Sequence, residues 1–377
     1  MKVAFIGAVG VPGNYGGFET FVDSCTPTLA KTFDKVIVTC DRSRYDTHEP
    51  QWNGVHRIFI PVRANGAWSV IHDFLAFFAV FWRVETIVVL GVSAGIFFPL
   101  FRMACAPFSK RLIVNVDGIE WRREKFSPLK RAFLFVCDRF AQLFAHTVII
   151  DNEALRPYLI RSVQHRAQLI AYPGDHVARV EGGNTADSLE RRCLTICRIE
   201  PENNCHILLE AFVRAKRGKY IFVGNWDAST YGRDLKARYK DSPGLDLRDP
   251  TYDKFELALL RESCNLYLHG HSVGGTNPSL VEMLFYDCTI LAFDCAFNRH
   301  AGGAALQYFS NQDELAAYIA TSNDPVRDDL TRDARLAARS LYTIDRISDS
   351  YAELARGVSA AGKPAYCPAQ DAVSEKP

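Results

Sequence analysis

The chain has 377 residues, 48% hydrophobic and 23% charged, with a net charge of +1. That length suits two domains of ordinary size, each with its own core, and the near-neutral balance excludes a whole-chain attraction to nucleic acid. Eleven cysteines occur without a C-x-x-C pair, several of them in apolar runs, which points to reduced core thiols in a cytoplasmic protein rather than disulfides or a zinc cluster.

The first stretch, MKVAFIGAVG, passes from one lysine straight into an apolar strand and is too short to read as a signal peptide. Gly7, Gly10 and Gly13 form a loose dinucleotide fingerprint, and Asp41 ends the second strand, KVIVTC, where a ribose-binding acid could stand. A short-chain dehydrogenase would need a tyrosine with a lysine four residues later, and none of the fifteen tyrosines has one. The loop runs on through Asn14, Tyr15, Gly16 and Gly17 before a helix starts near Phe18, which lets two bulky groups meet at a cleft floor.

Residues 86–101 carry no charge. That run of roughly 16 residues, broken by Gly91, Gly95 and Pro99, falls short of the roughly 20 a spanning helix needs, so it reads as a buried strand, a turn and a buried helix. The fourth strand leads into NVDGIEWRREKFSPLKR, with Asp117 and Glu120 at the carboxyl edge of a parallel sheet, where such folds bind ligands. Arg122, Arg123, Lys125, Lys130 and Arg131 follow, with Trp121 and Phe126 among them. The plainer reading is a solvated helix face. The functional one is that residues 121–131 form a landing site for anionic lipid headgroups or a lipid diphosphate, each basic side chain contributing about 1 kcal/mol.

The strand–helix alternation closes with TVIID and restarts after a polar, glycine-bearing linker, YPGDHVARVEGGNTADSLERR, at 172–192. RCLTICRI, KYIFVGN, LYLHGH and TILAFD follow as strands apolar on both faces, so the fold class is α/β with two helix-covered parallel sheets. Arg198 stands just past a strand, where its planar fork suits a phosphate, with an ion pair to Glu200 or Glu202 as the alternative. Gly224 and Asn225 repeat the strand–glycine theme, and Cys193 and Cys197 are expected on opposite faces of their strand, unable to share a metal.

The stretch HGHSVGGTNPSLVEML, residues 269–284, holds two histidines that could chelate a metal, but no third ligand is near. Asn277-Pro278 suits the start of a helix. The N–H groups of Gly274, Gly275 and Thr276, with the helix dipole, would then attract an anion. Glu282, one turn in, could accept two hydroxyls of a ribose. Anion at the start and diol one turn in describe a nucleoside diphosphate. The last segment, 361–377, is short of large apolar residues and reads as a disordered tail.

Taken in order, GNYGGFETFV, NVDGIEWRREK, RIEPENN, GNWDAS, HGHSVGGTNPSLVEM and FDCAFNR make the chain resemble the family 4 glycosyltransferases of GT-B fold over about residues 2–360. Within that family the nearest likeness is to bacterial rhamnosyltransferases of capsule and O-antigen assembly. The resemblance implies two Rossmann-like domains facing across a cleft. Residues 1–172, completed by a C-terminal helix at 343–360, would bind the acceptor, and 173–342 a nucleotide-sugar donor. It assigns Arg198 and Asp117 to catalysis. Asn203, Gly224, Asn225, His271, Gly274, Gly275, Thr276, Asn277 and Glu282 join Arg198 at the donor, and the loop at Asp249–Tyr252 lies where the base goes. Gly16, Gly17, Glu19, Glu120 and Arg122 fall to the acceptor side. No cofactor or metal is implied, because Arg198 and helix N–H groups neutralise the leaving diphosphate.

The expected reaction is retaining transfer of a hexosyl group, rhamnosyl from dTDP-rhamnose, to a lipid-linked or polysaccharide acceptor at the inner face of the cytoplasmic membrane. The alternatives are a non-catalytic nucleotide-sugar-binding subunit and a GT-B-like epimerase. Two positions depart from the wider family. Gly274 stands where a glutamate eight residues before Glu282 is expected, and Asn203 where a lysine is expected, which removes a charge from each side of the donor.

Overall fold

A computed structural model of the chain describes residues 1–13, 16–123, 126–177, 191–321 and 329–358, with side chains described from 332 in the last segment. Asn14, Tyr15, Lys125, most of the expected linker and the expected tail at 361–377 lie outside the described residues.

The first half runs β1 (Lys2–Ile6), β2 (Lys35–Asp41), β3 (Gln51–Trp52), β4 (Val55–Ile60), β5 (Thr86–Leu90), β6 (Arg111–Asn115), β7 (Thr147–Ile150) and β8 (Gln168–Leu169). They form one sheet in the order β3-β4-β2-β1-β5-β6-β7-β8. All neighbours are parallel except β3 and β4. That pair is a hairpin turned at Asn53-Gly54, both at positive φ, the dipeptide and geometry that two-residue hairpins prefer.

The second half runs β9 (Arg192–Ile196), β10 (Lys219–Val223), β11 (Leu245–Arg248), β12 (Leu266–His269), β13 (Thr289–Phe293) and β14 (Gln307–Phe309). Its sheet is parallel throughout, in the order β11-β10-β9-β12-β13-β14.

Side chains alternate along each strand, so both faces of each sheet need cover. In the first half one face packs helices Ser69–Phe81, Phe98–Cys105 and Pro128–Phe144 against Ile6, Ile87, Val114 and Ile150. The other packs Gly17–Thr32 and the C-terminal helix Ile344–Arg356 against Phe5, Val38, Val88 and Ile149. Tyr351 of the C-terminal helix lies 4.4 Å from Phe21, ring to ring, so the last helix is built into the first half. The chain crosses between halves at two neighbouring places: the Gly174 N–H donates to Tyr342 O at 2.7 Å, and the Ile344 N–H to Asp175 Oδ1 at 2.8 Å.

Cys193 and Cys197 do not take opposite faces. Residues four apart share a face of a strand, and both thiols meet the same core, beside Phe222 and Leu268. Every described cysteine is a free thiol.

Candidate functional site

In each sheet the strand order reverses at the middle, between β1 and β5 in one half and between β9 and β12 in the other. Crevices open there at the carboxyl ends of the strands. The loops at these ends converge. Asp117 and Gly118 follow β6, Asp151 and Asn152 follow β7, Arg198 follows β9, and Gly270 to Asn277 follow β12.

On the second half's wall, Asn277 caps helix Pro278–Met283, its side chain accepting the Ser279 N–H at 3.0 Å, with Pro278 in the first turn as expected. Arg198 is exposed at the crevice. Asn203 is buried and works inward, donating to Arg198 O at 2.7 Å and meeting His271 Nδ1 at 2.7 Å through Oδ1. It therefore shapes the Arg198 turn and orients an imidazole, rather than presenting its amide to a ligand. Burial, reinforced by the neighbouring His269 and then by the charges of Arg123 and Arg198, drives His271 well below its ordinary pKa. Burial alone takes His269 down to about 3. Gly224 is a packing residue, because a side chain there would meet Ile199 and Cys197 O; Asn225 beside it is exposed.

Glu282 is buried on that short helix and already engaged. Oε2 takes the Arg261 guanidinium, and Oε1 lies 3.2 Å from His176 Nε2. Burial works against its charge, yet Arg261 and His176 together hold the carboxyl below the ordinary value. Both Glu282 oxygens thus have protein partners, one of which a ribose would have to replace.

The first half's wall is acidic. Asp117 takes a positive φ of 58° and donates its N–H to Asn115 Oδ1 at 3.0 Å; Asn115 Nδ2 in turn donates to Tyr351 Oη at 3.1 Å. The Tyr172 hydroxyl donates to Asp117 Oδ1 at 3.3 Å. Burial and the neighbouring acids raise the Tyr172 phenol, keeping it a donor. Burial, then repulsion from Asp117, puts Asp151 well above the usual carboxylate range, and its Oδ1 takes no hydrogen bond. Gly16 and Gly17 open helix Gly17–Thr32, and Gly17 faces Tyr172 and Pro278 of the other half. Glu19 folds back on this start, accepting the Val9 N–H at 3.0 Å, and burial raises its pKa. Its carboxylate thus ties the loop after β1 to the helix, with Oε2 lying against Gly16, and gives the helix no side-chain cap.

Glu120 pairs with Arg123 at 2.7 Å, and Arg123 also faces Glu202 of the second half at 3.7 Å. Arg122 lies over the Tyr158 ring at 5.3 Å.

The halves touch through glycines. A methyl group at Gly118 would stand 3.2 Å from Gly274 Cα, and one at Gly275 only 2.0 Å from Asp151 Oδ1. The Thr276 hydroxyl donates to Asp151 O at 2.6 Å, and the Asn152 amide reaches Thr276 Oγ1 at 3.2 Å. Asp151, Asn152, Tyr172, His176 and Arg261 line this candidate site and were passed over in the sequence, while Arg123, read there as part of a lipid-facing cluster, turns to Glu120 and Glu202. The Asp-Asn pair after TVII, which ends a strand like its neighbours, was the one available signal. A cavity of about 340 Å³ lies elsewhere, among Arg192, Tyr220, Leu245 and Cys264. Among the described residues no cluster of three or more His, Cys, Asp or Glu side chains is placed to hold a metal ion.

A family model described as a domain of unknown function (DUF1972) matches residues 1–175. No curated protein matches. Solved structures do. Sucrose-phosphate synthase from Thermosynechococcus elongatus superposes with a TM-score of 0.74 at 16% identity, covering 96% of this chain and 100% of that one. The catalytic domain of starch synthase IV from Arabidopsis thaliana, bound to ADP and acarbose, gives 0.68 at 12% identity over 95% and 99%. The lipopolysaccharide outer core galactosyltransferase WaaB gives 0.61 at 11% over 95% and 99%. At these identities the likeness is one of fold, and the fold is GT-B: two Rossmann-like halves facing across a cleft.

Proposed function

We propose that this GT-B chain is a retaining glycosyltransferase that moves a hexosyl group, rhamnosyl from dTDP-rhamnose, to a lipid-linked or polysaccharide acceptor in bacterial surface polysaccharide synthesis. One observation carries the reading. The crevices of both sheets open on the same glycine-lined junction, where the exposed Arg198 is tied through Asn203 to the buried His271. A diphosphate suits that charge, and the polar wall of Asp117, Tyr172 and His271 suits a sugar. The fold neighbours are sugar transferases, and one of them holds ADP and acarbose.

In this reading the donor diphosphate lies against Arg198 and the N–H groups of Gly274 to Asn277, with its base near Asp249–Tyr252. The ribose reaches Glu282 by displacing His176, the more exposed of its two partners. The acceptor lies toward Gly16, Gly17, Glu120 and Arg122. The bond from the sugar's anomeric carbon to the diphosphate breaks as an acceptor hydroxyl attacks from the same face. A donor phosphate oxygen takes the hydroxyl proton, so configuration is kept without a protein nucleophile. Arg198 and backbone N–H groups meet the charge of the leaving group, and no bound metal is required. A lipid-linked acceptor sets the reaction at the inner face of the cytoplasmic membrane, with residues 121–131 among the headgroups.

A thermal-shift screen against UDP-, GDP- and dTDP-sugars tests donor binding, because a ligand of the folded state raises its apparent stability. The dTDP-sugars should raise the melting temperature most. A flat response across the whole panel would remove the donor site.

A further inference from the structure

The three helices covering one face of the first sheet carry a second apolar face, turned outward. On Ser69–Phe81 and the residue after it, Ile71, Leu75, Phe78 and Trp82 are exposed at steps of four, three and four, a single helical stripe. On Pro128–Phe144, Leu129, Phe133, Val136, Phe140 and Leu143 repeat that spacing. Leu100, Met103 and Phe108 lie on the helix between them and its short extension. The exposures are large, 73% for Trp82, 70% for Met103 and 83% for Leu129. At the surface Trp82 meets Phe108 at 4.8 Å, and beneath it the buried Phe77 stacks on Phe101 at 3.9 Å, which joins the first two of these helices in chain order. A contiguous apolar surface of this extent is unusual on a protein that meets only water.

Its charge identifies the occupant. Across residues 69–81, 98–110 and 128–144 the only acids are Asp73 and Asp138, and both are buried, against His72 and Gln142 respectively. Cations stand among and around the stripes at Arg83, Arg102, Lys130 and Arg131, with Lys110 bonded to Val84 O and Glu85 the exposed acid beside Arg83. A second copy using the same face would bring like charges together, whereas anionic headgroups complement them. No helix among the described residues is long and apolar enough to cross a membrane.

We infer that this three-helix face seats the protein in the plane of a membrane rich in anionic lipid. The stripes enter the acyl boundary, the cations lie in the headgroups, and Trp82 sits at interface depth. The segment 121–131 is then one rim of a larger surface: Arg123 turns inward to Glu120, while Lys130 and Arg131 stay at the edge. This deepens the membrane setting of the proposed reaction. The surface itself is read from exposure and charge alone, so a failed vesicle test leaves the transfer reading standing, and the reverse also holds.

The test is flotation of the full chain with phosphatidylcholine vesicles, with and without phosphatidylglycerol. Binding should require phosphatidylglycerol and weaken with salt. A Met103→Glu/Leu129→Glu double variant, altered only at exposed positions, should keep its melting temperature and lose about tenfold or more of its bound fraction. Brominated acyl chains should quench the wild type more than Trp82→Phe, a readout independent of the double variant. Three results would each overturn the inference: no binding to either vesicle, equal binding by wild type and double variant, or a wild-type dimer, made monomeric by the double variant, that ignores vesicles.

Discussion

Gly274 occupies the position where the family of resemblance carries an acid, and its surroundings explain the replacement. Its φ is 135°, a side chain there would start 3.0 Å from His271 Nε2, and Gly118 of the other half closes over it. Two backbones meet where the wider pattern has a carboxylate, so the charge is lost to close approach. Gly274→Glu should cost about 1–3 kcal/mol through the forced left-handed backbone and further hold the halves apart. Gly118→Ala, at an ordinary φ, should melt close to the wild type but turn over more slowly. Thermal melts beside rate measurements check both; an active, stable Gly274→Glu enzyme would show that the junction opens freely. The glycines and Asn277-Pro278 were legible from the sequence because turn and cap chemistry is local. Asp151 was not. Its weight comes from Gly275 and Asp117, which lie far away along the chain and arrive only through folding.

The C-terminal helix Ile344–Arg356 supports the site at the scale of elements. Tyr351 packs against Phe5 and Phe21 and accepts the Asn115 amide, while Asn115 holds the Asp117 N–H. Removal of the hydroxyl in Tyr351→Phe keeps the packing and frees Asn115. It should cost about 1 kcal/mol of stability and lower kcat with little change in donor KM, as steady-state kinetics would reveal. A raised donor KM with unchanged kcat would detach this helix from Asp117.

Nine strands were legible because each is a short apolar run. The five that were not, β3, β4, β8, β11 and β14, mix polar residues into VHRIFI or are short pieces such as QW, QL, LDLR and QYF. Such pieces form because a neighbouring strand offers its backbone, which no local pattern records. The outward stripes were hidden for a similar reason: periodicity finds an apolar helix face but does not say whether anything covers it.

The molecule as a whole presents two working surfaces: a junction between crevices, and a three-helix face on the first half. On the proposed reading, together they would let one enzyme meet a nucleotide sugar from water and an acceptor from a membrane. The strand–helix alternation and its restart made the two-sheet architecture readable, since each half is a local repeat of one plan. The contact between halves was not readable, because it depends on glycines whose meaning is steric. The most direct test of the transferase account is proton NMR of dTDP-rhamnose turnover with a lipid-linked saccharide, wild type beside Arg198→Ala. The account predicts an acceptor-dependent product that keeps the donor's anomeric configuration, formed about 100-fold more slowly by the variant. An inverted product, or equal turnover by Arg198→Ala, would contradict it.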